Sequence, residues 1–341
     1  MFCQVVVFRG APWYNTRSMQ HMNASKTVRL PSLVETISLG FGVVNRCLWV
    51  LLIPVFLDLV YWLGPRLSIQ PLIEQLVAIS QAMGPQRADP NVLQVWDQLG
   101  AQAIPFDLAQ LGLPRQTNIF APKYINLLTP WLRLPQAPFA PPVWRVDNLA
   151  LLVLVQVLAV FCSLLATSIY LFALANTVRG TRARSALRRW SRGFASVLGI
   201  GLLFTVLVLL LSVPLSLLLT FTLVLSPVVA ELVLVVVLAL LVWLLFTASF
   251  AFDAVFMSDY GPVRALMMSL HIVQRSFWAA AGLFVLSWLI LDGLSFVWQM
   301  VATTSLGLAI AIVGSAYISS GLAAAHLIFY RDRLSRIGRQ P

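Results

Sequence analysis

Charged residues are distributed so that long uncharged stretches remain, and these set the first reading. A helix that crosses about 30 Å of hydrocarbon needs about 20 mostly apolar residues, so runs of that length mark spans. The first run is 47–63 (CLWVLLIPVFLDLVYWL), short and carrying Asp58. The second, 149–176, has no charge from Ala150 to Asn176. Between Arg192 and Asp253 stand 60 residues with a single charge, Glu231. As one helix they would extend about 90 Å, three times the hydrocarbon thickness, so the chain must fold back once. Ser226-Pro227 supplies the turn, because Ser suits an N-cap and Pro the first helical position. Spans at 195–222 and 227–252 result, with a kink expected at Pro214. The last pair is 277–298 and 304–330, divided by Gln299 and a cap at Thr303-Thr304-Ser305. The pattern predicts an all-α membrane protein, a six-transmembrane helix bundle.

Residues 64–148 are the one long stretch between spans. Leu67, Ile69, Leu72, Ile73, Leu76, Val77 and Met83 recur at helical spacing, as do Val92, Leu93, Trp96 and Leu99, which predicts two amphipathic helices. From Pro114 to Pro142 prolines alternate with Phe120, Tyr124, Trp131 and Phe139, and Trp144 follows. That composition reads as extended turns with aromatic anchors at headgroup level. The chain thus divides into a tail (1–31), an interfacial helix with the first span (32–63), an extracytoplasmic insertion (64–148) that rests on the bilayer or caps the bundle, spans two to six (149–330), and a basic tail (331–341). The first apolar run leads into Tyr61-Trp62-Leu63-Gly64-Pro65 rather than a small-residue cleavage site, so it reads as an anchor and not a signal peptide. Met1, Met19 and Met22 are all eligible starts.

Composition agrees with the spans. Hydrophobic residues make up 60% of the 341 and charged ones 10%, and the mean hydropathy of +0.87 excludes an ordinary soluble domain. The formal charge of +11 would suggest nucleic acid if the basic residues were contiguous, but they are not. Segments 1–46, 177–193, 253–276 and 331–341 hold 17 of the 23 Lys and Arg, and 64–148 holds the other six. By the positive-inside rule both termini are cytoplasmic and 64–148 lies outside. The charge is a topology signal, and no nucleic-acid partner is called for. Cys3, Cys47 and Cys162 form no metal-binding spacing and read as packing residues.

Three short segments, 32–46, 181–192 and 261–275, each precede a span and could lie as amphipathic cytoplasmic helices; Ser32 and Glu35 form a capping box for the first. Setting Arg46 on Arg275 also pairs Val44 with Val273, Asn45 with Gln274 and Trp49 with Trp278. Interfacial helix followed by helical hairpin then occurs three times, with 64–148 inserted in the first hairpin. The alternative is that any six-span protein has three hairpins with basic inner flanks. The third segment should lie along the membrane plane, since Val263, Leu266, Met267, Leu270, Ile272 and Val273 give it an apolar face.

Residues 259–278 (DYGPVRALMMSLHIVQRSFW) carry Gly261, Ala265, Leu266, Ser269, Phe277 and Trp278 at the positions of a Gly-x-x-x-Ala-Leu-x-x-Ser…Phe-Trp pattern. In this the chain resembles the glycerophosphodiester phosphodiesterase membrane domain and YciC-like bacterial membrane proteins. The resemblance implies a membrane bundle and no phosphodiesterase activity, which in those enzymes belongs to a separate soluble barrel. The 64–148 insertion departs from the pattern.

Asp58, Glu231 and Asp292 lie within spans, in the outer part of the bilayer. An ionisable group there costs at least about 2.5–3.5 kcal/mol, so each is a candidate for an outward-facing polar site taking a cation, a proton or an amine-bearing substrate. The alternative is local: Glu231 favours a helix N-terminus, Asp58 reaches headgroups or Arg66, and Asp292, aligned with Ser295 and Gln299, bonds a neighbouring helix. Arg182, Arg184, Arg188, Arg189 and Arg192, with Arg179, could contact anionic lipid at about 1 kcal/mol each. Gly307, Ala311, Ser315, Ser319 and Ala323 place a small residue at every fourth position of the last span, a packing seam. His21, His271 and His326 stand apart, and neither HExxH nor GxSxG occurs. No cofactor, metal or catalytic residue is expected. The sequence reads as a non-enzymatic envelope component whose partner is the lipid bilayer. The alternatives are a small-molecule or lipid transporter using the outer carboxylates, and a membrane-embedded enzyme.

Overall fold

The computed structural model describes residues 31–63, 66–68, 71–72, 74–75, 78–79, 106–107, 142–180 and 186–337. The helices are α1 (Leu33–Arg46), α2 (Leu52–Leu63, after a 3-10 turn at Leu48–Leu51), α3 (Leu149–Arg179), α4 (Ala186–Leu225), α5 (Pro227–Ala248), α6 (Ala251–Ser258), α7 (Pro262–Arg275), α8 (Phe277–Val301) and α9 (Ser305–Ile337). Among the described residues five stretches are long and apolar enough to cross a membrane: α3, α4, α5 with α6, α8 and α9. A sixth is reached if the broken pair Leu33–Arg46 and Leu48–Val60 counts as one. The first expected span is therefore not self-standing. The 12 residues of α2 rise about 18 Å, well short of the hydrocarbon thickness.

Local chemistry explains most of the boundaries. Ser32 Oγ accepts from Glu35 N and the Glu35 carboxylate accepts from Ser32 N, completing the capping box of α1. Ser226 takes an extended N-cap conformation and Pro227 the first helical position, as read from the sequence, although the Ser226 hydroxyl makes no cap bond. Thr304 caps α9 by accepting from Gly307 N at 3.0 Å. The expected segment 181–192 is different. Residues 186–192 are the first turns of α4, continuous with the span, because nothing between Arg192 and Ala195 breaks the helix and Trp190 stacks on Phe194 at i+4 with ring centroids 5.8 Å apart.

Two compact units are distinguished, and α3, α8 and α9 contribute to both. The second comprises the described residues of 51–167 and 288–319. Its apolar core is Ala302, Leu308, Ala311 and Ile312, with Val55, Leu59, Leu63 and Trp298 packed against it. Gly314 permits this, since a Cβ there would meet the Trp298 ring at 2.4 Å. The unit also holds a three-stranded sheet in which β1 (Arg66–Ser68) lies between β2 (Phe106–Asp107, antiparallel) and β3 (Val143–Arg145, parallel). Leu67, expected to open an amphipathic helix, is a strand residue. Helical backbone in that region is described only at 71–72, 74–75 and 78–79. The expected helix around Val92–Leu99 and most of the Pro114–Pro142 stretch lie outside the described residues, as does the tail 1–30.

The first unit comprises the described residues of 1–50, 168–287 and 320–341. Here α1 and α7 follow one plan. In the register that sets Arg46 on Arg275, both are 14-residue helices whose N-caps, Ser32 and Gly261, have nearly the same backbone angles (φ −64°, ψ 164° and φ −71°, ψ 170°). Both also end in a non-helical residue, Cys47 (φ −135°, ψ 58°) and Ser276 (φ −132°, ψ 36°). Three of the four buried positions of each coincide as well: Thr36 with Ala265, Gly40 with Ser269, Val44 with Val273. The α7 segment is therefore a separate helix and not an extension of α8. Its apolar residues divide, with Ile272 and Val273 buried against protein and Val263, Met267 and Leu270 left exposed.

Three contacts fix these inner segments. A Cβ on Gly40 would stand 2.3 Å from Gly321 O and 2.7 Å from Ala325 N, so α1 lies directly on the backbone of α9. The Ser269 hydroxyl of α7 donates to Thr247 O, near the end of α5. Trp190 of α4 donates through Nε1 to Ser168 Oγ of α3 at 3.2 Å.

Candidate functional site

The small residues of the last span do make a seam. Gly307, Ala311, Ser315, Ser319 and Ala323 are all buried, and 67% of the most apolar window of α9 is buried against 6% for α3, α4 and α5. A helix so enclosed must find partners for its polar side chains, because a bare hydroxyl or imidazole in a dry interior is costly. In the first unit α9 does so against three different helices. Tyr170 of α3 donates to Ser320 Oγ at 2.8 Å. His326 Nε2 lies 3.2 Å from Ser287 Oγ of α8. Tyr330 OH lies 3.2 Å from Ser258 Oγ of α6. Ser168, Tyr170, Ser287, Ser320, His326 and Tyr330 have no exposed surface.

Around His326 the walls are aromatic. The Phe250 ring lies 5.6 Å from the imidazole and 5.6 Å from Phe329. One turn beyond Phe250 on the same helical path, Asp253 is fully buried. Along Ser320–Tyr330, about 15 Å of α9, these helices thus hold three separate polar pairs, Tyr170–Ser320, Ser287–His326 and Ser258–Tyr330. Spacing alone shows part of this: His326 and Tyr330 are four residues apart on one helix face. Asp253 ends the 60-residue run whose single charge is Glu231 and looks like a cytoplasmic boundary, but the helix continues past it to Ser258.

A second constellation gathers where α3 and α6 end and α4 and α7 begin. Asp259, the C-cap of α6, is the one non-glycine with positive φ (56°) among the described residues, a conformation Asp tolerates better than most. Its carboxylate takes Arg189 Nη2 at 2.9 Å and faces Arg179 Nη1 at 3.7 Å, while Arg179 Nη2 donates to Phe256 O. The Arg264 guanidinium lies over the Tyr260 ring, 4.5 Å from its centroid. Of the arginines picked out as lipid contacts, Arg189 joins this cluster, Arg188 and Arg192 are exposed on the first turns of α4, and Arg182 and Arg184 lie outside the described residues.

The three intramembrane carboxylates differ in surroundings. Asp58, on α2 of the second unit, is 3% exposed. Asp292, on α8 of the same unit, is exposed, as is Glu231, one turn after Pro227 on α5 of the first unit. The side chains of Ser295 and Gln299, expected beside Asp292, are not described. Cys47 is buried, whereas Cys162, expected in packing, is exposed on α3. Among the described residues no three His, Cys, Asp or Glu side chains are grouped to hold a metal ion. No family model, curated protein or solved structure matches the chain.

Proposed function

We propose that this chain is a non-enzymatic component of a bacterial inner membrane. In this reading it has six spans, the first broken at Cys47, both termini are cytoplasmic, and 64–148 lies outside. The observation that carries the reading is how the interior polar groups are used. Tyr170, Ser287, His326 and Tyr330 are each taken up by a side chain of a neighbouring helix, which is how polar residues serve packing in lipid. Three repeats of inner segment plus hairpin form part of the same reading. It is supported by the common register of α1 and α7, and by the order of contacts: the second and third inner segments meet the second span of the preceding hairpin, α4 on α3 and α7 on α5, and the first meets the last span, α1 on α9. Kinship with the YciC-like membrane proteins is part of the proposal and rests on the Gly261–Trp278 sequence pattern alone. The test is thermal stability in detergent with Ser287→Ala and Ser320→Ala; loss in both supports a packing role, and unchanged stability in both refutes it.

A transporter is the second reading, favoured by Asp58. A carboxylate that is 3% exposed in an otherwise apolar helix is a functional candidate by default. Asp58→Asn keeps the shape and removes the charge. Intact folding with altered uptake of a cation or amine would support transport, and unaltered uptake would refute it.

A further inference from the structure

We propose that the Asp259-centred arginine cluster is a docking site for an anionic phospholipid headgroup of the inner leaflet. The proposal rests on the membrane reading above and names the partner for one face of it. Two guanidiniums, Arg179 and Arg189, share the Asp259 carboxylate and a third, Arg264, lies over the ring of Tyr260, the next residue, so the group carries two more positive charges than negative ones. Arg192, exposed on α4 one turn after Arg189, adds a third. The cluster is ordered before any ligand arrives: Arg179 is held by Phe256 O, Arg189 by Asp259 and Arg264 by the Tyr260 ring. Guanidiniums fixed as planar forks suit phosphate oxygens, which they can bind in pairs.

The neighbouring surface decides between a lipid and a soluble phosphate. Beside Arg264 begins the exposed apolar stripe of α7, Val263, Met267 and Leu270 at 52%, 64% and 41% exposure. A soluble anion has no use for that stripe, whereas acyl chains would cover it below a headgroup held by the arginines. Asp259 then has two parts. It orients Arg179 and Arg189, and it competes with the phosphate for them.

The experiment measures binding of phosphatidylglycerol and of phosphatidylcholine with the same chains to the purified full-length protein in detergent, by native mass spectrometry, alongside thermal stability. The expected result is preference for phosphatidylglycerol, lowered about fivefold by Arg264→Gln, since each arginine at an anionic surface contributes roughly that factor. Asp259→Asn should raise affinity, because Asn keeps the left-handed backbone while the competing charge is lost. Equal binding of the two lipids, or no effect of Arg264→Gln, would overturn the proposal. So would an Asp259→Asn variant that loses stability and gains no affinity, which would leave a structural clasp. Full displacement of phosphatidylglycerol by millimolar inorganic phosphate would reassign the site to a soluble anion. Binding in detergent does not depend on orientation, so a cysteine at position 188 labelled from outside the cell would refute the inner-leaflet reading of the topology separately.

Discussion

At the scale of single residues, energy is concentrated where polar atoms are enclosed. Ser287 and Ser320 are small, so replacing either with alanine removes one oxygen and almost no packing volume. What remains is a buried His326 or Tyr170 without that partner. Measured polar contacts between membrane helices span about 0.6–2 kcal/mol, and both variants should fall in that range. Ser320→Ala should cost more, because both pairs are fully buried and the Tyr170–Ser320 bond is the shorter, 2.8 Å against 3.2 Å for Ser287–His326. Equilibrium unfolding in mixed micelles would rank the two. His326 could be seen in the sequence only as an isolated histidine in an apolar span. Its partner lies 39 residues away on another helix, and that kind of proximity has no local signature.

At the scale of elements, glycine spacing separates two outcomes that look alike in sequence. Gly40 and Gly42 both sit inside α1, yet a Cβ on Gly40 would strike the backbone of α9, and one on Gly42 meets nothing within 4 Å. Gly40→Ala must push α1 off α9 and should destabilise the protein by more than about 2 kcal/mol, in the manner of overpacked contacts. Gly42→Ala should be neutral or stabilising by up to about 1 kcal/mol, the helix-propensity difference between the two residues. Thermal melts of the two variants, side by side, check this; similar losses in both would mean that the α1–α9 contact is not tight. Elements were legible to different degrees for physical reasons. Lipid demands length and apolarity, which are one-dimensional properties, so α3, α8 and α9 could be found from uncharged runs. Strands of two or three residues have no usable period, and the sheet around Arg66–Ser68 was invisible for that reason. The inner segments lay between these cases: α1 and α7 end at residues whose backbone leaves the helix, and the arginine-rich start of α4 does not.

At the scale of the molecule, the question that decides the rest is which side each segment faces. The inner-leaflet assignment proposed for the arginine cluster and the outer placement proposed for 64–148 both depend on the 17 against six division of basic residues, and that bias acts through short segments near span ends. In a variant with Cys3, Cys47 and Cys162 replaced, single cysteines at Arg188 and Ser335 should resist an impermeant maleimide in intact cells and react after permeabilisation. A cysteine at Gln75, whose side chain reaches Asp147 O across the insertion and is solvent-exposed, should react without permeabilisation. The six-span reading requires all three outcomes, because α1 and α2 must carry the chain across once before Gln75. If only the five self-sufficient spans cross, the stretch before α3 stays on one side, and Gln75 and the N-terminal tail would share a compartment. A cysteine placed at Ser32 distinguishes the cases: protected while Gln75 is labelled for six spans, and labelled together with Gln75 for five.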